Sequence, residues 1–198
     1  MFRGHGLLFV HVPKTAGMAV GRALYGETVQ HASIRYYQMA APALVASVPT
    51  FAIVRDPVER FLSAYAYACA GGTADNAVSE PFRSIYRGFR SVDDALDHLE
   101  AANWPYGVDH IFRPQSWYVM NEDGVLGVDH LIPLRDMDRA LKILAPWAAA
   151  LPLVNCSHLE KPELTPRQEW RVRYLYAADL RLPRLAKESM MALWRRDV

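Results

Sequence analysis

Lys14 and Thr15, followed by Ala16 and Gly17, stand in the stretch Phe9-Val10-His11-Val12-Pro13-Lys14-Thr15-Ala16-Gly17. Residues of these types in this order suit the binding of an anion. The apolar run reads as a buried strand that passes through a short loop into a helix opening near Gly17. A helix N-terminus presents unpaired backbone N–H groups at the positive end of its dipole. A lysine on the loop adds a mobile point charge that can follow a phosphate or sulfate. The same stretch also fits an ordinary strand–turn–helix with an exposed lysine.

A second stretch, Thr50-Phe51-Ala52-Ile53-Val54-Arg55-Asp56-Pro57-Val58-Glu59-Arg60-Phe61-Leu62-Ser63-Ala64-Tyr65, repeats the design. Thr50 to Val54 form a buried strand with Arg55 at its carboxyl end. Asp56 caps the next helix, Pro57 takes its first position and Glu59 completes a capping box. Ser63 lies seven residues after Asp56, on the same helix face, so Arg55 and Ser63 suit one anion gripped from two sides. The plainer alternative pairs Arg55 with Asp56 or Glu59.

The pair His-Val-Pro-Lys-Thr-Ala-Gly (11–17) and Val-Arg-Asp-Pro-Val-Glu-Arg-Phe-Leu-Ser-Ala-Tyr (54–65) resembles the two nucleotide-binding motifs of sulfotransferases that use 3′-phosphoadenosine 5′-phosphosulfate (PAPS). The resembled branch includes carbohydrate O-sulfotransferases, uronyl 2-O-sulfotransferases and small bacterial relatives. Weaker similarity runs through Phe112-Arg113-Pro114-Gln115, Asn155-Cys156-Ser157 and Tyr174 to Asp179. The resemblance implies that Lys14, Thr15, Ala16, Gly17 and Met18 hold the 5′-phosphosulfate, while Arg55 and Ser63 hold the 3′-phosphate. It also implies a P-loop-NTPase-like α/β fold, a sulfuryl transfer to an acceptor hydroxyl, an acceptor that is a carbohydrate or glycoconjugate, and no metal. One departure stands out. The family has a hydroxyl residue directly after the glycine, and here Met18 and Ala19 follow it. The backbone N–H groups remain, but a hydrogen bond of about 1 kcal/mol is lost.

In such chemistry Lys14 is the group to offset charge on the leaving phosphate, and Thr15 adds a hydrogen bond. The acceptor hydroxyl needs a base, and seven histidines compete for the role. His11 precedes the anion loop and reads as structural or orienting. His98 reads as part of a solvated helix face, His130 belongs to a strand, and His5 and His158 lie in loops. His110 precedes Phe112 to Gln115 and suits the acceptor side, as does Gln115. His31 lies between the two motifs in Gln30-His31-Ala32-Ser33. The uronyl 2-O-sulfotransferase members carry a His-x-Ser segment at this place whose histidine is the base, which assigns that role to His31. A surface histidine that begins a helix is the alternative.

The elements that must position these residues follow from periodicity and caps. Strands are expected at 7–12, 50–54 and 128–132, and helices at 17–25, 57–69, 113–121, 136–149 and 184–195. Ser91 with Asp94 caps a helix to Ala101, and Thr165 with Gln168 opens one to Leu180. Strands alternating with helices imply a three-layer α/β fold with a mainly parallel central sheet, whose ligands sit at the carboxyl ends of the strands. Loops at 71–90 and 102–112 carry Phe82, Tyr86, Phe89, Trp104 and Tyr106, suited either to stacking on a sugar or to packing beneath the loops.

With 198 residues, 52% apolar and 22% charged, the chain suits one soluble domain over 1–198. A net charge of +1 gives no case for nucleic acid. Cys69 and Cys156 make neither a disulfide framework nor a metal-ligand spacing, and read as reduced thiols. Leu7 to Val12 is too short for a signal peptide or a span, and the chain has no room for the N-terminal anchor of Golgi relatives, which points to a bacterial, cytoplasmic enzyme. The excess of Lys and Arg after Thr165 reads as a solvated face, with Lys161 a lesser candidate for the nucleotide. Two rival functions remain: a P-loop-type phosphotransferase, although the pattern GxxxxGK[ST] is absent, and a non-catalytic nucleotide-binding relative, suggested by Met18 and Ala19.

Overall fold

The structure is a computed structural model that describes residues 6–73, 76–102, 105–137 and 160–194. In chain order its elements are β1 (Leu8–Val10), α1 (Gly17–Tyr25), α2 (Ile34–Ala40), α3 (Pro42–Ser47), β2 (Thr50–Val54), α4 (Pro57–Cys69), α5 (Phe82–Tyr86), α6 (Val92–Ala101), α7 (Gln115–Val119), β3 (His130–Pro133), α8 (Pro166–Leu175) and α9 (Leu182–Trp194). Short 3-10 turns occupy His110–Phe112, Leu134–Asp136 and Ala177–Arg181. The chain divides into two compact units. The first draws on Met1–Arg55, Gln115–Cys156 and Arg181–Val198, the second on Asp56–Pro114 and Ser157–Leu180.

The first unit is built on an all-parallel sheet in the order β1-β2-β3. Phe9 pairs with Phe51, and Ile53 with Ile132. Successive side chains of a strand point to opposite faces, so each strand feeds two cores. Phe9, Phe51, Ile53 and Ile132 pack with Val20 and Leu24 of α1. Leu8, Val10, Ala52, Val54 and Leu131 pack with Ile34 and Tyr37 of α2, Tyr118 and Val119 of α7, and Leu182 and Ala186 of α9. Helices therefore cover both faces, which is why these strands read as continuous apolar runs. This is the expected α/β class with a parallel central sheet.

The second unit is helical. Phe61, Ala64 and Ala68 of α4 share a core with Tyr86, Leu96, Leu99, Phe112, Val172 and Tyr176. Arg60 is wholly buried there, donates from Nη1 to the Ile111 carbonyl at 3.0 Å and lies 4.9 Å from the centre of the Tyr176 ring. Arg171 of α8 reaches three carboxylates of α6, those of Asp93, Asp97 and Glu100.

Caps set most boundaries where the residues indicated. Asp56 Oδ1 accepts from the N–H groups of Val58 and Glu59, and capping boxes join Ser91 to Asp94 and Thr165 to Gln168. Several expectations need correction. β1 stops at Val10 rather than residue 12. The segment 34–47 holds α2 and α3, which periodicity did not indicate because each is shorter than two full turns. The helix opened by Thr165 ends at Leu175, where Tyr176 leaves helical geometry (φ −104°, ψ 31°) and a 3-10 turn follows. The loop at 71–90 contains α5, and of the two settings open to its Phe82, Tyr86 and Phe89 the packed one holds, since they stack into the core. Residues 138–149 of the helix expected over 136–149, together with Trp104 and Asn155 to His158, lie outside the described residues.

Candidate active site

The loop after β1 has an unusual backbone. Lys14 and Ala16 both adopt left-handed conformations, with φ of 67° and 63°. Side-chain-bearing residues rarely do so, and successive turns of this kind gather backbone N–H groups into an anion-binding concavity. Thr15, fully buried, donates its hydroxyl proton to the Val12 carbonyl at 2.9 Å and so closes the loop on itself. Among the described residues, the N–H groups of Thr15, Ala16 and Gly17 make no backbone hydrogen bond. Ala16, the N-cap of α1, supplies no side-chain cap. Lys14 is half-buried on the rim, and Met18 and Ala19 continue into α1.

His11 supports this loop from beneath. Its Nδ1 donates to the Val29 carbonyl at 2.6 Å, and its ring lies against Gly17. The ring centre of His31 is 3.9 Å from that of His11. His31 Nδ1 lies 3.1 Å from the His11 carbonyl oxygen. A carbonyl only accepts, so the proton of the neutral His31 ring sits on Nδ1, and Nε2 carries the lone pair. Ser33 accepts from the Tyr36 N–H and caps α2, which sets the chain direction just after His31. The His-x-Ser spacing thus has a local reason, with the serine starting a helix and the histidine reaching back to His11, just beyond β1.

Arg55 follows β2 at the same edge of the sheet, because β1 and β2 are parallel neighbours and both run out at their carboxyl ends. Its N–H donates to Gln115 Oε1 at 2.8 Å, and its carbonyl accepts from Gln115 Nε2 at 2.7 Å. Gln115 is fully buried, so it grips the main chain of Arg55 instead of facing an acceptor. The sequence carried one faint sign of this residue, a polar side chain opening the apolar helix Gln115–Val119.

The structure therefore brings together Lys14, Thr15, Ala16, Gly17, Met18 and His31 around one loop of the first unit, with Arg55 on an adjoining strand end. Ser63 lies in the second unit, on the largely buried face of α4 with Phe61 and Ala64.

The remaining histidines sort themselves by surroundings. His98 is not on a solvated face: its ring meets Tyr86 and Phe89, its Nε2 is buried with no hydrogen-bond partner among the described residues, and burial lowers its pKa. His110 Nδ1 is 2.9 Å from the Asp109 carboxylate. Burial, the largest single influence, pushes the pKa of Asp109 up, but the His110 contact, the Ile111 N–H and the charge of Arg113 together outweigh it and hold that carboxyl below its usual range. His130 is half-buried at the start of β3. Cys69 is a half-buried free thiol whose pKa burial raises, as suits an unreactive sulfhydryl. Arg173 and Arg184 pair with Glu169 and Glu188 along their own helices, as an exposed face would, and Lys161 is exposed. Among the described residues no helix is long and apolar enough to cross a membrane.

The loop Lys14 to Gly17 and Arg55 thus stand at adjoining carboxyl ends of a parallel sheet, the place where ligands of such sheets bind. The model of the sulfotransferase family matches residues 1–164, and the chain belongs to that family. No curated protein matches the chain closely enough to be called a relative. Sulfuryl transfer to an acceptor is thus the general activity that its family defines.

Proposed function

We propose that this chain transfers a sulfuryl group from PAPS to a hydroxyl of a carbohydrate or glycoconjugate. The observation that carries this reading is the loop Lys14 to Gly17, left-handed at two residues and adjoined by the His11–His31 pair. When bound, the donor supplies an activated sulfuryl group on a phosphate leaving group. The N–H groups of Thr15, Ala16, Gly17 and Met18 suit its 5′ end, and a Cβ at Gly17 would have no room. The Lys14 ammonium offsets the negative charge that grows on the leaving phosphate. His31 Nε2 takes the proton of the acceptor hydroxyl. Arg55 and Ser63 are assigned the 3′-phosphate on their motif. Treatment of residues 1–198 as one sulfotransferase domain, in the cytoplasm of a bacterium where PAPS is made, belongs to the same proposal.

Calorimetric titration tests it. Wild-type protein should bind adenosine 3′,5′-bisphosphate roughly ten- to a hundredfold more tightly than 5′-AMP, the worth of one charge-assisted hydrogen bond. Arg55→Ala should erase most of that preference. Equal affinity of the wild type for both nucleotides overturns the donor assignment, and labelled donor offered with a panel of sugars then reports the acceptor.

A further inference from the structure

The carboxyl end of β2 leaves Arg55 with an unusual need. The β2–β3 ladder runs only as far as Val54, which stands opposite Pro133. Proline has no N–H to donate, and the chain then turns into the 3-10 turn Leu134–Asp136, so the ladder does not continue to Arg55. The β1–β2 pairing has already ended at Ala52. Backbone N–H and C=O groups shielded from water must nonetheless be satisfied, and Arg55 is half-buried.

Gln115 meets both with a single side chain. Its carboxamide accepts from the Arg55 N–H and donates to the Arg55 carbonyl, at 2.8 and 2.7 Å. This copies the pair of bonds by which two opposed strand residues hold one another. Only this orientation of the amide works, since a flip would set donor against donor and acceptor against acceptor. The amide is itself fixed. Gln115 is 0% exposed and opens α7, whose Tyr118 and Val119 are locked into the core against the sheet. Two bonds to one residue restrain both of its backbone torsions, and the aim of a side chain as long as arginine magnifies any error at its Cα.

We propose that Gln115 is a positioning residue: it holds the backbone of Arg55 so that the guanidinium is aimed for a phosphate monoester, the 3′-phosphate of the nucleotide. The inference rests on the assignment of Arg55 in the preceding section, and its test separates the two. Affinities for adenosine 3′,5′-bisphosphate and for 5′-AMP are measured for wild type, Arg55→Ala, Gln115→Met, Gln115→Glu and Arg55→Ala/Gln115→Met. Gln115→Met keeps the volume and loses both hydrogen bonds. Gln115→Glu keeps the acceptor and sets an oxygen against the Arg55 carbonyl.

Each Gln115 variant should lower the ratio of the two affinities about tenfold or more while 5′-AMP affinity changes less than about twofold. The double variant should show the ratio of Arg55→Ala alone, because the amide acts through the arginine. A Gln115 that served only the fold would weaken both ligands together and leave the ratio intact, which overturns the inference while the Arg55 assignment stands. A wild type without preference removes both. If neither Gln115 variant folds, Gln115 is a residue of the fold and the proposal falls.

Discussion

The imidazole of His11 fills the space that any side chain on Gly17 would need. A Cβ built on Gly17 would lie 2.0 Å from His11 Cδ2 and 2.2 Å from Nε2. The ring has little freedom to retreat. Nδ1 is tied to the Val29 carbonyl, and the faces meet Phe9 at 5.5 Å and His31 at 3.9 Å between centres. Gly17 is thus required for close approach rather than for an unusual φ. His11, the residue that follows β1, thus sets how tightly the loop Lys14 to Gly17 folds onto α1.

Gly17→Ala should therefore destabilise the protein by about 1–3 kcal/mol, as overpacking in a tight site does. His11→Ala/Gly17→Ala should recover part of the loss, since the alanine then enters the space of the removed ring. Denaturant unfolding of the two singles and the double measures the coupling. Strictly additive losses would show that the clash is relieved by backbone movement elsewhere.

The parts of this fold that were legible share one property, which is that their causes lie within a few residues. Asp56 with Pro57, Ser91 with Asp94, and Thr165 with Gln168 announce their helices because cap and capped N–H groups are neighbours in sequence. Thr50 to Val54 is read to its ends because burial on both faces leaves an unbroken apolar run. The missed features depend on distance along the chain. Gln115 acts on Arg55 from sixty positions away. His98 sits among carboxylates in sequence, yet its surroundings are set by Tyr86 and Phe89. The candidate site stands between these cases: Lys14 to Gly17 is a local pattern, whereas the contact of His31 with His11 spans twenty residues and needed a family resemblance to single it out.

Lys14→Ala should cost far more in turnover than in binding. In the proposed reaction the ammonium matters most as charge develops on the leaving phosphate, and removal of one such stabilising group typically lowers the rate about 10²–10³-fold. Affinity for adenosine 3′,5′-bisphosphate should fall less than about tenfold, since the loop N–H groups remain. Steady-state kinetics beside calorimetry checks this. Unchanged turnover would hand the role to another cation.

His98 carries a pH dependence of stability. Burial lowers its pKa in the folded protein, so the unfolded chain binds the proton more readily. The neutral ring's contribution is complete above the ordinary histidine pKa of about 6.5 and is lost as pH falls through the lowered value. His98→Phe keeps a ring between Tyr86 and Phe89 and cannot be protonated. Its melting temperature should fall less than that of the wild type between about pH 7.5 and about pH 5. Parallel curves would mean that other groups carry the acid sensitivity.

His31 is where the local geometry makes the sharpest demand. The Nδ1–H bond to the His11 carbonyl fixes one tautomer of the neutral ring and so makes Nε2 the basic atom. His31→Ala should leave nucleotide affinity and melting temperature near those of the wild type while turnover drops about 10²–10⁴-fold, the usual worth of a general base. His31→Gln is the stricter variant, because its amide can still donate to the His11 carbonyl but cannot accept a proton near neutral pH. It should be as inactive as His31→Ala. Near-normal turnover in His31→Gln would show that the ring serves only to brace the chain at His11, and His110 would then be the histidine to replace.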